Sequence, residues 1–474
     1  MFKLIGIDDL EKLAQVVDGQ LMGENTTFGS LVVDSRNTQQ NSVFIALHGE
    51  KFDGNVFCSE VLSKGCCAVI TDDPEIPGRT IVVDDTYLAL LKLAQYQLNK
   101  VKPRTLAITG SNGKTTVKEM IGSLLDHQNT VVTKDNENNE FGIAYTVLKI
   151  DKDTENLIVE CGARKAGDFD LIVKYLWFDA LVITNLNNSH IGIFGSEENI
   201  LKTKLKLLEA LKTKGLLIEG AFNNLSKSFS KQDPDQNKIN IYQANDEGEL
   251  SLKYSWLFSA ETNESNLDSY HISMIKRDTK SESERLNYSL NLGIKHNCSN
   301  AVISIGLLKE WGSSEQVIQK LDGFVSPQKN RFYCSKLGDH ILINDTYNAN
   351  PTSMMSAINE LNTNASYPDS QIIFLGDMYE LGQSSELEHT IILNELMTID
   401  KLKLLILVGD RFKISYQANT RAKESSFIYH LDRSDNLPKE VLENTLKNNS
   451  VILIKGSRGI KMERYLELLK EIII

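Results

Sequence analysis

Apolar positions along the chain fall into two spacings. At Thr105–Thr109, Leu157–Val159, Leu181–Thr184 and Leu216–Ile218 they run nearly unbroken, as in strands buried on both faces. Between these runs the spacing turns helical. Val117, Met120, Ile121, Leu124 and Leu125 recur at i, i+3, i+4, i+7 and i+8, which predicts a helix over Thr115–Leu125. Tyr87–Asn99 predicts another. Strands alternating with helices imply a parallel sheet covered on both sides. From Leu225 to about Asn291 the chain turns polar. There Arg285–Leu292 alternates, with Leu286, Tyr288, Leu290 and Leu292 on one side. That stretch predicts a small antiparallel addition to the central domain.

The flanks carry their own patterns. Before Asp84 lie short apolar runs, Leu31–Val33, Val43–Leu47, Ala68–Ile70 and Ile81–Val83, with a helical pattern at Val56–Ser63. Asp34-Ser35 and Asp53-Gly54 read as turns. This predicts a small α/β domain. From Gln328 one unit repeats: an apolar strand, a Gly with a polar neighbour, then a helix. Ile372–Leu375, Leu404–Val408 and Val451–Ile454 each open such a unit. That is a doubly wound, Rossmann-like α/β domain with its ligand loops at the carboxyl ends of the strands. The 474 residues suit about three domains. The predicted bounds are 1–84, 85–327 and 328–474.

Charge and cysteines narrow the classes. Asp plus Glu exceed Lys plus Arg by 63 to 51, a net charge of −12. That argues against coating a nucleic-acid backbone, though a few local cations suffice for a small anion. The six cysteines are scattered and form no C-x-x-C pair, which fits reduced thiols rather than zinc or disulfides. Asp8, Asp9 and Glu11 stand where a signal peptide needs an apolar core. No apolar run reaches the roughly 20 residues of a membrane span. The expectation is a cytoplasmic enzyme.

The sharpest local motif is Thr109-Gly110-Ser111-Asn112-Gly113-Lys114-Thr115-Thr116, between a buried strand and an amphipathic helix. Backbone N–H groups of such a loop, with the helix N-terminus, cradle phosphates. Lys114 would reach the β- and γ-phosphates and Thr115 a Mg²⁺ ion. The spacing is unusual, because Ile108 sits where the common motif has its first Gly. Glu160 ends a strand beside this loop. Alone it is an ordinary solvated strand end; next to the loop it is a natural Mg²⁺ ligand. His190 is ambiguous alone. Lys202, Lys204, Lys206, Lys212 and Lys214 read mainly as a solvated basic face, although a neutral lysine can take up CO₂ and become an oxygen ligand. Asn344 to Pro351 fits a turn and helix cap as well as a site. His296-Asn297 is equally open.

Taken together, these motifs resemble the Mur ligases, ATP-dependent amide-forming enzymes of peptidoglycan synthesis. Asp34-Ser35-Arg36, Phe44 to Gly49 and Phe52-Asp53-Gly54 match the family's N-terminal, UDP-binding domain. Thr109 to Thr116 matches its phosphate loop, and Asn136 to Asn139 with Gly142 its asparagine motif. Glu160 to Ala163 matches its Mg²⁺ glutamate, Ile183 to Asn185 with His190 and Phe194 to Ser196 its metal histidine region, and His296, Asn297 and Asn300 its adenine side. Asp345 to Pro351, Leu375 to Gly382 and Lys455 to Arg458 with Lys461 to Glu463 resemble the subgroup that adds D-alanyl-D-alanine. The sequence departs from the family pattern at Asn55, Ala144, Gly192, Lys206 and Asn344.

The resemblance implies a function. A ligase would add D-alanyl-D-alanine to UDP-N-acetylmuramoyl-tripeptide, through an acyl phosphate made with ATP and Mg²⁺, two ions in all. Lys114, Glu160, His190 and Lys204 would be catalytic. Thr115, Glu160, His190 and Lys204 would hold metal, with Lys204 carbamylated by register from His190 and Lys202 as the competing position. Gly110 to Thr116, His296, Asn297, Asn300, Arg331 and Asp345 would bind ATP. Ser35, Arg36, Asp53, Asn138, Asn139, Tyr347, Asn348 and Asn350 would meet the other substrates. The same resemblance implies a monomer with no nucleic-acid partner. Rivals are another Mur-type amino-acid ligase, a folylpolyglutamate-synthase-like enzyme, or a non-catalytic nucleotide-binding regulator of the same fold.

Overall fold

The computed structural model describes residues 1–49, 52–135, 137–186, 191–220, 237–243, 254–263, 266–278, 284–292, 296–326, 328–435, 439–446 and 448–473. Three main sheets organise them. The first has five strands in the order Gln20–Met22, Thr80–Val82, Ala68–Thr71, Ser42–Ile45, Ser30–Val32. Only its first pairing is antiparallel. A two-residue hairpin, His48–Gly49 with Phe52–Asp53, stands beside it. The predicted helix at Val56–Ser63 is a 3₁₀ turn, Gly54–Phe57, running into a helix, Cys58–Ser63.

The central sheet has nine strands. Thr130–Val132, Asn156–Glu160, Arg104–Thr109, Phe178–Ile183 and Leu211–Glu219 lie side by side in that order and parallel. The polar stretch beyond differs from the expected addition in one respect. Its strands Asn237–Gln243 and Tyr254–Asn263 continue the parallel run, and only Asn266–Asp278 and Glu284–Asn291 pair antiparallel. The same sheet is extended rather than supplemented. Parallel strands alternate less clearly than antiparallel ones, so only Glu284–Asn291 was legible in sequence.

The third sheet runs Tyr333–Leu337, His340–Asp345, Val451–Lys455, Gln371–Gly376, Leu402–Val408, Ile428–Leu431, parallel except for its first pair. Its strands split their side chains between two cores. Ile373, Leu375, Leu405 and Leu407 enter one, while Ile372, Phe374, Leu404 and Ile406 enter the other. That period of two is why those runs are apolar throughout.

One core crosses from the first sheet to the second. It takes in Leu31, Val43 and Ile70, then Leu90, Leu93 and Ala94 of the helix Thr86–Val101, then Ile143, Val147, Leu157 and Leu181. Asp85 caps that helix, accepting the Tyr87 and Leu88 N–H groups at 2.7 and 2.9 Å. All six cysteines are free. No described helix is long and apolar enough to cross a membrane.

Candidate functional site

The carboxyl ends of the central strands face the third sheet across a cavity of about 560 Å³. The loop after Arg104–Thr109 forms its floor. Gly113 takes φ +79° where the helix Lys114–Leu124 begins, and an added Cβ would stand 2.5 Å from Asn300 Oδ1. Only glycine allows both the turn and the approach. Lys114 folds back on its own loop, donating to the Gly110 carbonyl at 2.7 Å and the Ser111 carbonyl at 3.2 Å. Burial lowers its proton affinity, Glu160 restores part of it, and Arg331 opposes.

Glu160 is buried at the end of its strand. Thr115 Oγ1 lies 3.2 and 3.0 Å from its two oxygens, and Asn138 Nδ2 donates to Oε1 at 2.8 Å. Lys118 Nζ stands 3.3 Å from Oε2. Burial alone would raise the Glu160 carboxyl; Lys118, Lys114 and the Asn138 amide outweigh it and hold the group below the usual range. A hydroxyl and a carboxylate beside a phosphate loop are the hard oxygen donors that Mg²⁺ takes, so the residues fit that ion.

Lys204, on the helix Glu197–Leu205, is buried and lines the same cavity, whereas Lys202 is exposed. Burial, then the nearby Lys114 charge, push the Lys204 amine well below its ordinary value. Carbamate formation needs a lysine amine that has given up its proton, and burial in reach of the cavity pushes in that direction. His190 lies outside the described residues, and so does the side chain of His296.

The third domain supplies the roof. The Arg331 guanidinium stacks 3.7 Å over the Tyr347 ring, and its Nε donates to Gln328 Oε1 at 2.6 Å. Asp345 is anchored: Phe332 N–H donates to Oδ1 at 3.1 Å and Lys455 Nζ to Oδ2 at 2.6 Å. Lys455 also donates to the Asn348 carbonyl at 3.0 Å. Asn350 caps the helix Pro351–Thr363 through Ser353 N–H, and its Nδ2 donates across the cleft to Asn112 Oδ1 at 2.8 Å. A second crossing is made by backbone alone. Gly192 N–H donates to the Glu380 carbonyl at 2.9 Å, and Gly192 packs against Gly382.

The expected residues do not all meet. Ser111 to Thr116, Asn138, Glu160, Lys204, Asn297, Arg331, Asp345, Tyr347, Asn348 and Asn350 line the cavity. Gly110 and Asn300 lie just beneath it; a Cβ on Gly110 would stand 2.0 Å from Thr184 Oγ1. Asn139 instead caps the helix Glu140–Leu148 and borders an open second hollow with Phe52, Phe141 and Tyr145. Ser35, Arg36 and Asp53 sit outside both. Arg36 is 86% exposed and paired with Asp34 at 2.6 Å, and Asp53 caps the turn Gly54–Phe57. Two lysines at the site, Lys118 and Lys455, were not expected there. Lys118 had a signal: it is one helical turn after Lys114, on the same face. Lys455 opened the Lys455 to Arg458 motif after a strand, but no role at the site was read from it.

Of the departures, Asn55 is a structural tie, accepting from Thr71 Oγ1 and donating to Asp72, each at 2.7 Å. Asn344 closes a local turn through Thr346. Lys206 pairs with Glu209 at the surface.

Known proteins place this arrangement. The Mur ligase middle domain matches residues 108–308, and the Mur ligase glutamate ligase domain matches residues 330–458. The UDP-N-acetylmuramoyl-tripeptide–D-alanyl-D-alanine ligase of Bacillus subtilis (strain 168) is 30% identical, over 98% of each chain. A crystal structure of MurF from Acinetobacter baumannii superposes with a TM-score of 0.83 at 26% identity, covering 97% of this chain and 98% of that one. A MurF ligase from Thermotoga maritima in complex with ADP shares the fold, with a TM-score of 0.75 at 22% identity, over 94% of this chain and 97% of that one. With both domains matched and a relative aligned end to end, the chain belongs to the Mur ligase family.

Proposed function

We propose that the chain joins D-alanyl-D-alanine to UDP-N-acetylmuramoyl-tripeptide at the expense of ATP, giving the pentapeptide precursor of peptidoglycan in the cytoplasm. The observation that carries this is the convergence of Lys114, Thr115, Glu160 and Lys204 from one domain with Arg331, Tyr347 and Asn350 from the other around one cavity. The full-length relatives named for this reaction select the substrates.

A carboxylate is a poor electrophile until it is phosphorylated. In this reading Lys114 leaves the Gly110 and Ser111 carbonyls and takes the β- and γ-phosphates as the γ-phosphoryl group passes to the tripeptide's terminal carboxylate. The dipeptide amine then attacks the acyl phosphate, and phosphate leaves from the tetrahedral adduct. Thr115 and Glu160 would hold one Mg²⁺, and His190 with carbamylated Lys204 a second. Such ions, when bound, neutralise phosphate charge. Arg331 meets phosphate and Asp345 the ribose, with Asn297 and Asn300 toward the base. The protein's contribution is placement and charge. Closing the two domains over the cavity keeps water from the acyl phosphate. Ser35, Arg36 and Asp53 receive the UDP end, on the domain formed by residues 1–84.

The test is a substrate panel. Purified protein should release ADP only with both the UDP-tripeptide and D-alanyl-D-alanine present, and should yield the pentapeptide. A product carrying a single amino acid instead would move the chain to another ligase subgroup. Lys114→Ala should abolish turnover; retained activity would refute the phosphate-loop assignment. Lys204→Ala should be inactive and recover with a short carboxylate that replaces the carbamate.

A further inference from the structure

Among the described residues, the Glu160 carboxylate meets three side chains, Thr115, Asn138 and Lys118. Its Oε1 meets Thr115 and Asn138, and its Oε2 meets Thr115 and, at 3.3 Å, the Lys118 ammonium. Both members of the Lys118–Glu160 pair are almost wholly covered, with side-chain exposures of 3% and 2%. A lysine on a buried helix face adds nothing to solubility. Its charge is tolerated there only because a carboxylate answers it. Lys118 sits one turn beyond Lys114 on the helix that the phosphate loop opens.

We infer that Lys118 is a built-in counter-ion that sets how tightly Glu160 takes a divalent cation. The inference rests on the reading of Glu160 as a cation ligand. Lys118 stands against the carboxylate at 3.3 Å and helps fix its direction. A cation held by Glu160 would share its carboxylate with the Lys118 ammonium, and two positive charges that close repel. The consequence runs against ordinary expectation for a buried ion pair: removing the lysine should strengthen cation binding. Lys114 and Arg331 still place positive charge near Glu160 without it. Lys118 is therefore a positioning residue, which acts on the cation only through Glu160.

The experiment measures Mn²⁺ binding to the full chain, with free Mn²⁺ followed by electron paramagnetic resonance, without nucleotide and again with ADP. Lys118→Met should bind Mn²⁺ about tenfold tighter than the unaltered chain. Lys118→Gln, which keeps a polar end and guards against loss of folding, should tighten in the same direction. Lys118→Arg should match the unaltered chain. Unchanged or weaker binding in both Met and Gln variants overturns the inference. Glu160→Gln separates the two levels. If it leaves Mn²⁺ binding intact, the ligand reading of Glu160 falls as well. If it weakens binding while the Lys118 variants do not tighten it, the counter-ion role alone falls.

Discussion

Gly192→Ala bears directly on the closure of the two domains. Gly192 lies in the helical turn Ile191–Phe194, where alanine is welcome on local grounds. Its difficulty is the neighbour. An added Cβ would stand 2.3 Å from Gly382 N, 2.8 Å from Gly382 Cα and 2.9 Å from the Glu380 carbonyl oxygen. All three are backbone atoms of the other domain, so no side chain can swing aside. The backbones must separate by roughly 1 Å to restore van der Waals contact. That opens the 2.9 Å hydrogen bond from Gly192 N–H to Glu380. The lost bond contributes about 1 kcal/mol and the overlap costs at least about 1 kcal/mol more. Together they disfavour the closed arrangement by about 2 kcal/mol, roughly 30-fold in its ratio to open forms. Small-angle scattering should show a larger radius of gyration with ATP and UDP-tripeptide bound, and kcat/KM should fall by about the same factor. The melting temperature should hold, because neither domain core is touched. An unchanged radius together with unchanged kcat/KM would refute the steric argument.

Other expectations follow from single contacts. Asn350→Ser keeps a competent helix cap but is too short to reach Asn112, so kcat/KM should drop about 2- to 10-fold with the melting temperature nearly unmoved; a fall in stability instead would show that the cap, not the bridge, matters. His389 is buried with Nε2 accepting the Met378 N–H at 2.9 Å and Nδ1 against the Ser385 carbonyl at 2.6 Å, an arrangement only the neutral ring can make. Burial holds its pKa below 6.5. Below pH 6.5 the unfolded chain therefore binds more protons than the folded one, and stability falls as pH falls through that window. Thermal melts from pH 7.5 to 5.5 should show this slope, and His389→Gln should flatten it; an equal slope in both would remove His389 as the cause.

The apolar pattern made most elements readable. Thr115–Leu125 differs from the observed Lys114–Leu124 by one residue at each end, because the stripe of Val117, Met120, Ile121 and Leu124 faces a core and nothing overrides it. The strands Asn237–Gln243 and Tyr254–Asn263 were hidden in a polar stretch, since their order comes from pairing with a distant edge rather than from local pattern. At the site, Lys114, Thr115 and Glu160 were visible because a loop and a strand end fix them locally. Lys118 was not, and Lys455 was seen only as the start of a motif, without its ion pair to Asp345. A buried lysine and a solvated one look alike in sequence, and only the carboxylates brought to them by folding, Glu160 and Asp345, tell them apart.

The core that crosses from the first sheet to the second has a thermodynamic consequence. Residues from Phe2 to Leu217 share one continuous apolar cluster, with the helix Thr86–Val101 as its middle layer. The third sheet keeps its two clusters to itself, and its domain meets the rest through polar contacts such as Asn350–Asn112 and Gly192–Glu380. Cooperativity follows shared burial, not sheet count. Heating the ligand-free chain should therefore reveal two calorimetric units where the eye sees three sheets: a large one that loses the first two together, and a smaller one that melts by itself. A first domain cut out at residue 84 would expose one side of the common core and should not fold alone, whereas the third, excised from residue 328, should.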